Sequence, residues 1–239
     1  MSEEYVLPPY GEKVEELIKE FGGTVMETYR GHDIKPLWKQ EGEGYTGYKY
    51  LYKAPKIEKI AYGVGYFREK LMSSALIIWP DDEHALPIYS SYWADSAKGS
   101  FFIIDFYPLA DCIRDIPYMD KYLAPLEDIY EKGLQDFPPS KVRSMNWFRA
   151  LMSPYIITTE ADATMANQEK LLNLTRDYLK VYIDLWKKEE PSPPEYMKEL
   201  NARKEAIRII FQERDSIGDM MLTRALGKEL AHLSLLTQF

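Results

Sequence analysis

The sequence predicts an α+β protein built as a three-layer α/β/α sandwich, with a central, mainly antiparallel sheet of about six strands. Runs of β-branched and aromatic residues fill the first half of the chain, and the segments between them are short enough for antiparallel pairing of neighbours. Helical periodicity dominates the second half. Two strands are apolar at consecutive positions, which indicates that helices cover both faces of the sheet.

The first half is predicted to contain one helix and then the strands. The helix is predicted over 12–21, because its apolar residues recur at helical spacing and Gly22-Gly23 ends the pattern. The glycine-rich stretch 24–47 is predicted to be a loop with short extended pieces. The strands follow at 48–52, 57–67, 73–79, 87–95 and 100–107.

The second half is predicted to be mostly helical. A further strand, 155–159, lies between the first two helices, and the three prolines of 191–194 end the second helix. No repeat, low-complexity tract or polar linker divides the chain, so 1–239 is predicted to be a single domain. The predicted helices are 118–134, 162–188, 195–211 and 220–236.

Composition and charge exclude several classes of function. The net charge of −8 opposes binding to nucleic acid and to anionic lipid. The apolar runs are far shorter than the ~20 residues that cross a bilayer. The first residues carry no apolar export signal and Cys112 is the only cysteine, so we expect a reducing, cytoplasmic location.

Motifs for metals and common cofactors are absent from the sequence. The three histidines are far apart, and neither HExxH nor CxxC occurs, so no metal site is expected. There is no GxSxG, Walker A or GxGxxG motif, and Gly63-Val64-Gly65 in a predicted strand is too weak a signal for a phosphate site. Nineteen Tyr, nine Phe and five Trp are many, and such side chains often line pockets for large planar ligands as well as cores.

An ordered series of segments resembles the ferredoxin-dependent bilin reductases. The most specific pieces are the strand, acidic loop and strand of 77–89 (IIWPDDEHALPIY) and the strand end of 102–109 (FIIDFYPL). Further matches are YKAPKI at 52–57, Trp147-Phe148, and Arg214-Asp215 followed by an apolar helix. The resemblance covers about 45–239 and implies a sheet sandwiched between helices, with the substrate between the sheet and the C-terminal helices.

The resemblance implies reduction of an open-chain tetrapyrrole such as biliverdin, for instance to phycocyanobilin. Reduced ferredoxin would supply single electrons and protein side chains would supply protons, with no cofactor bound to the enzyme. Because the substrate itself carries the conjugated system that accepts electrons, the protein needs only positioned acids, carboxylate contacts and a dry pocket. The missing cofactor motifs are then expected.

The chain departs from the family pattern at several catalytic positions. In phycocyanobilin-forming members a catalytic Asp follows the Leu-Pro pair, whereas this chain has Tyr92 near that place, and the nearest carboxylate, Asp95, would need a bulge to reach it. Where the family has a Glu and a His, this chain has 73–75 (SSA). The family Arg that contacts a substrate propionate is replaced by Thr158 or Thr159. These departures leave open a non-catalytic tetrapyrrole-binding protein or a reductase of a different tetrapyrrole.

One family acid is retained, Asp215, which matches a C-terminal proton donor. If it lies over the substrate in a desolvated pocket, its pKa should be raised; the alternative is an N-cap of the following helix. Asp95 and Tyr92 are the other candidate proton donors, and Asp105 is expected to fix backbone geometry. The candidate substrate contacts are Arg143, Arg149, Ser91, Trp147 and Thr159.

Ferredoxin is the expected protein partner. Ferredoxins are acidic, and so is this chain, so their encounter needs a local basic surface. Lys141, Arg143 and Arg149 could form it, although they cannot all serve both ferredoxin and a substrate propionate.

Overall fold

The central sheet of the computed structural model follows the chain almost in sequence order. The structure describes residues 11–67, 70–96, 99–137, 146–162 and 164–239. Within these ranges, eight antiparallel strands form one sheet and β2 and β3 form a separate ribbon. The strands are β1 (Thr24–Val25), β2 (Thr28–Tyr29), β3 (His32–Asp33), β4 (Gln40–Gly42), β5 (Tyr45–Ala54), β6 (Ile57–Phe67), β7 (Lys70–Pro80), β8 (Ile88–Ser96), β9 (Gly99–Tyr107) and β10 (Ile157–Ala161).

The predicted α+β class and antiparallel sheet are confirmed, but the sheet has more strands than the predicted six or so. Its order is β1-β5-β6-β7-β8-β9-β10, with β4 also paired to β5. The extra strands β1 and β4 come from the stretch predicted to be loop, and pair at Thr24 with Lys53 and at Gln40 with Gly47. A segment of two or three residues is too short to show an alternation of apolar and polar residues, so such a strand is recognised only by its pairing with a neighbour.

Helices fill the second half of the chain, with boundaries that differ from the predicted ones. The predicted helix 118–134 is interrupted by a 3-10 turn that contains Pro125. The predicted helix 220–236 is two helices, because Gly227 has a φ of +81°. The described α-helices are α1 (Gly11–Glu20), α2 (Ile116–Tyr122), α3 (Glu127–Asp136), α4 (Met165–Lys188), α5 (Pro194–Arg214), α6 (Ser216–Leu226) and α7 (Lys228–Gln238), and short 3-10 turns occupy Lys35–Leu37, Ala124–Leu126 and Asn146–Ala150.

One face of the sheet carries the larger aromatic core. Tyr89 of β8 and Phe106 of β9 pack against Tyr182 of α4, with ring centroids 5.8 and 5.5 Å apart. Phe21, which follows α1, contacts the same tyrosine ring at 6.4 Å. Helices α1 and α4 therefore close this face with large, fully buried side chains.

The opposite face carries small residues in its middle strands. Because side chains alternate along a strand, Ala61, Gly63 and Gly65 of β6 share this face with Ala75 of β7 and Ser90 of β8. These residues leave space between the sheet and the C-terminal elements, which is where the candidate site lies.

Candidate functional site

A cavity of about 340 Å³ lies between the small-residue face of the sheet and the C-terminal helices. Its volume falls within the ~300–1,000 Å³ typical of small-molecule sites. The lining is mostly apolar, with a few polar side chains at its ends. Besides Gln40 of β4, strand residues 45, 48, 49, 63–65, 73, 75, 77, 90, 92, 101, 103 and 107 form the sheet side, and residues 147, 148, 211, 215, 218, 221, 222, 234, 235, 238 and 239 form the opposite side.

The glycines of β5 and β6 let two long side chains lie flat on the sheet. A Cβ at Gly47 or Gly65 would come within 2.7 or 2.5 Å of the Tyr45 hydroxyl oxygen. A Cβ at Gly63 would lie 3.2 Å from Cε of Lys49. The Gly63-Val64-Gly65 run therefore makes room for Tyr45 and Lys49 at the edge of the cavity.

Asp215 and Tyr92 meet at one part of the cavity. Asp215 is the N-cap of α6: its Oδ1 accepts a 3.0 Å hydrogen bond from the Gly218 backbone N–H. It also lines the cavity, and burial, with a smaller contribution from the charge of Asp219, raises the pKa of its carboxyl. Both sequence-based readings of Asp215, helix cap and cavity acid, describe its position.

Tyr92 stands beside this acid on β8. Although 36% of the Tyr92 surface is exposed, desolvation by the surrounding protein raises the pKa of its phenol to about 12. The negative charge of Asp215 adds to the shift, whereas a hydrogen bond with Ser73 opposes it. At neutral pH the phenol is therefore protonated and available as a hydrogen-bond donor.

An aromatic wall closes another side of the cavity. Trp147 and Phe148 of the 3-10 turn Asn146–Ala150 pack on Phe211 of α5, with ring centroids 5.2 and 5.8 Å apart. Phe211 stacks on Phe239 at 3.8 Å, and Tyr107 of β9 packs on Phe148 at 5.9 Å. These rings provide flat apolar surface of the kind that planar ligands bind.

Lys49 is a cavity residue that the sequence analysis missed. It lies on β5 and is buried, and its Nζ donates to the carbonyl and hydroxyl oxygens of Ser234 at 2.6 and 2.9 Å. Burial lowers the pKa of its ammonium to about 7. The alternation of side chains along β5 could have indicated that Lys49 is buried, because it places Lys49 on the same face as Tyr45 and the buried Leu51.

Three predicted site residues lie on the opposite face of the sheet. Along β8 and β10, side chains point alternately toward the cavity and away from it, and Ser91, Asp95 and Thr159 occupy positions that point away. None of the three lines the cavity. Asp95 Oδ1 accepts hydrogen bonds from Trp93 Nε1 at 2.7 Å and from Ser100 Oγ at 2.6 Å. The β8–β9 register runs from Ile88 to Ser96 without a bulge, so the displacement that would have brought Asp95 to the position of Tyr92 does not occur.

The predicted basic contacts are not part of the cavity lining. Arg149 lies in a surface depression with Arg203 and Met152, on the outer side of the turn whose Trp147 and Phe148 face the cavity. Lys141 and Arg143 lie outside the described residues. Of the predicted set, the structure therefore brings Tyr92, Trp147 and Asp215 together in the cavity.

Asp105 is buried between β9 and the segment that follows the 3-10 turn. Its carboxylate accepts hydrogen bonds from the backbone N–H groups of Phe106 and Ser153, at 2.8 and 2.9 Å, and from the Ser153 hydroxyl. Burial raises the pKa of Asp105 to about 7, against the opposing effect of these hydrogen bonds. It ties the turn that carries Trp147 and Phe148 to the sheet, as a residue that fixes backbone geometry does.

The described ranges contain neither a metal-binding cluster nor a membrane-spanning helix. No group of three or more His, Cys, Asp and Glu side chains there could hold a metal ion. None of the described helices is long and apolar enough to span a membrane.

Comparisons with known proteins identify the fold and the family. The family model described as ferredoxin-dependent bilin reductase matches residues 35–237. A solved structure of phytochromobilin synthase from tomato, in complex with biliverdin, has the same fold, with a TM-score of 0.81 and 18% sequence identity over 96% of this chain and 84% of that one. No curated protein matches the sequence. The family match, which spans most of the chain, confirms the resemblance seen in the sequence, and the chain belongs to the ferredoxin-dependent bilin reductase family.

Proposed function

We propose that this protein reduces a linear tetrapyrrole, with biliverdin as the first candidate substrate and reduced ferredoxin as the electron donor. The observation that carries the proposal is the cavity, which combines an aromatic wall with two protonatable groups, Asp215 and Tyr92, at one part of its surface. Family membership and the biliverdin found in the tomato neighbour support this choice of substrate and donor.

The proposed chemistry adds two electrons and two protons to one carbon–carbon double bond of the bilin. Ferredoxin supplies the electrons one at a time, so each electron transfer is matched by a proton from the protein. The burial that raises the pKa of Asp215 keeps a larger fraction of the carboxyl protonated near neutral pH, as a proton donor requires. Its half-buried position leaves a route for re-protonation from water.

Tyr92 complements this acid in the proposal. Because its pKa is raised to about 12, the phenol stays protonated and donates a hydrogen bond to a pyrrole carbonyl oxygen placed near Asp215. Which double bond is reduced follows from which pyrrole ring faces this pair. A phytobilin such as phycocyanobilin requires two such steps on two different double bonds of biliverdin.

Replacement of the family's first Asp by Tyr92 favours a second candidate, a tetrapyrrole-binding protein without turnover. Asp215 is the one Asp or Glu among the described residues of the cavity lining, whereas each two-electron step needs two protons from the protein. A reductase of a different tetrapyrrole is the third candidate, and the absence of Arg at Thr158 and Thr159 is the observation behind it.

One experiment separates these candidates. The purified protein is titrated with biliverdin, followed by its absorption band, and then given reduced ferredoxin under anaerobic conditions. A shifted band on binding and a blue-shifted product on turnover support the proposal. Binding without turnover selects the binding protein, and failure to bind biliverdin while another tetrapyrrole binds selects the third candidate.

A further inference from the structure

Lys49 is a buried cation at the cavity for which the described residues provide no acidic partner. The residue is 6% exposed, and its hydrogen-bond acceptors are the two oxygens of Ser234. An ammonium group has three N–H donors, so one remains after these two bonds. Burial is the cause that lowers the pKa of its ammonium, and no carboxylate of the described residues forms an ion pair with it.

Other buried cations in the described ranges are compensated differently. Arg208 forms ion pairs with Glu58 and Glu205, and Lys204 forms one with Asp82. Lys59 donates to two backbone oxygens, at Thr237 and Phe239. Of the four buried Lys and Arg side chains in these ranges, Lys49 is the one that lines the cavity.

The sheet register places Lys49 directly across the cavity floor from Tyr92. Lys49 pairs with Gly63, Gly63 with Ala75, and Ala75 with Tyr92, so the four residues form one row. Three inter-strand spacings separate the ends of this row, which is about 14 Å between the backbones of β5 and β8. The two residues between them, Gly63 and Ala75, are small, so a flat ligand can lie along the row.

We propose that Lys49 binds a carboxylate of the substrate and thereby fixes which end of the ligand reaches Asp215 and Tyr92. The inference rests on the proposed function, because biliverdin carries two propionate carboxylates. An unpaired buried cation is costly, and a ligand carboxylate supplies the missing counter-charge together with a charge-assisted hydrogen bond to the third N–H. This makes Lys49 a positioning residue, distinct from the proton donors at the far end of the row.

Binding of a carboxylate at Lys49 is expected to take up a proton. The free ammonium has its pKa lowered to about 7 by burial, and a carboxylate partner raises it again. The other titratable side chains that line this space are Tyr45 and Tyr48 on its own strand, Tyr92 on β8, Tyr107 on β9 and Asp215 before α6, whereas α7 lines the cavity with Ser234, Leu235 and Gln238. Lys59 on β6 lies outside the lining, but the charge of Lys49 reaches it and helps to lower its pKa. A variant that lacks only the Lys49 amine isolates its contribution from theirs.

The test compares biliverdin with its uncharged dimethyl ester, using dissociation constants measured by absorption between about pH 6 and pH 8. The wild type should prefer the free acid by roughly tenfold or more, and the preference should increase as the pH falls. Lys49→Met should bind the two ligands nearly equally at every pH, whereas Lys49→Arg should retain the preference. Calorimetry in two buffers should show proton uptake for wild type with the free acid, and less uptake for Lys49→Met.

Lys59→Met is the matched control, because Lys59 is also buried and also holds the C-terminal segment but does not line the cavity. It should keep the preference for the free acid. Equal preference in Lys49→Met and wild type would overturn the role of Lys49 while leaving the proposed function intact. Failure of the wild type to bind either form of biliverdin would instead count against the proposed function.

Discussion

Asp215 shows at the scale of a single residue how a helix cap and a cavity acid can be the same carboxyl group. One oxygen accepts a hydrogen bond from the backbone N–H of Gly218 in the first turn of α6, and the side chain lines a mostly apolar cavity. Capping fixes the position of the carboxyl, and although the capping hydrogen bond lowers its pKa, the larger effect of burial raises it. A proton donor needs a fixed position and a raised pKa, and Asp215 has both.

Replacement of Asp215 by Asn should separate these roles. Asn caps helices about as well as Asp, so the free energy of unfolding should change by less than about 0.5 kcal/mol, and biliverdin should still bind. Turnover with reduced ferredoxin should fall roughly a hundredfold or more, because the amide has no acidic proton to give. The matched control is Asp95→Asn, because the Asp95 side chain lies on the other face of the sheet. If the Asp95→Asn variant lost as much turnover as the Asp215→Asn variant, the assignment of Asp215 as the proton donor would be contradicted.

Asp105 should make stability depend on pH. Its pKa in the folded protein is about 7, above the ordinary 3.8, so the folded state binds the proton more tightly between these values. This contribution is fully present below about pH 4 and is lost as the pH rises through about 7. Asp105→Asn should remove that dependence, because an amide does not titrate.

The same substitution should also lower stability overall. Each carboxylate oxygen of Asp105 now accepts a hydrogen bond from a backbone N–H. In Asn the NH₂ group would replace one of these oxygens and face an N–H donor, which should lower the free energy of unfolding by about 1–3 kcal/mol. Urea unfolding of the variant and wild type at a series of pH values measures both effects. A difference in unfolding free energy that does not vary with pH would show that Asp105 does not titrate in this range.

At the scale of elements, the cavity depends on how closely α6 approaches the edge of the sheet. Gly42 at the end of β4 lies against the backbone of Ala225 in α6, so that a Cβ there would come within 1.7 Å of the Ala225 carbonyl oxygen. A glycine is therefore required at this crossing. Helix α6 carries Gly218, Met221 and Leu222 into the cavity, so its position sets the height of the cavity above the sheet.

Gly42→Ala should therefore displace α6 and affect both stability and binding. A clash with backbone cannot be relieved by a side-chain rotation, and we expect a loss of about 1–3 kcal/mol in unfolding free energy. The biliverdin dissociation constant should rise as well, since the opposite walls of the cavity move relative to each other. Thermal unfolding and absorption titration measure the two effects, and Glu41→Ala, an exposed position on the same strand, should leave both unchanged.

At the scale of the whole molecule, charge decides how a protein partner can approach. A net charge of −8 opposes encounter with an acidic ferredoxin, so productive docking requires a local basic surface close to the substrate. Arg149 is exposed on the outer side of the turn whose Trp147 and Phe148 line the cavity. Arg203 borders the same depression. An electron that enters at this depression would cross the turn Asn146–Ala150 to reach the cavity.

Arg149→Gln should then weaken ferredoxin docking without changing substrate binding. We expect the KM for an acidic reduced ferredoxin to rise several-fold at low ionic strength, and the difference from wild type to shrink as salt screens the charges. The biliverdin dissociation constant should not change. Arg176→Gln on α4, across the sheet from the cavity, is the control, and an equal rise in KM for both variants would indicate a general charge effect.

The long elements and the class of fold follow from local patterns, and so were readable from the sequence. Strands β5 to β9 and helices α1 and α4 each carry a periodic pattern or an apolar run that covers several side chains. Strands β1 and β4 have two or three residues each and exist through their pairing with β5, so no period marked them. The break between α6 and α7 at Gly227 could be recognised only from its backbone dihedral angle, because glycine occurs inside helices as well as at their ends.

The sequence by itself determined the fold class, the family resemblance, and three residues that the cavity brings together, Tyr92, Trp147 and Asp215. The tertiary structure decided which face each strand residue occupies. Because side chains alternate along β8 without a bulge, Tyr92 lies on one face and Ser91 and Asp95 lie on the other. Only the packing of the C-terminal helices shows that the cavity is on the Tyr92 face. The tertiary structure also placed Lys49 across the floor from Tyr92, because that row joins four strands and no local pattern records which of their residues lie side by side.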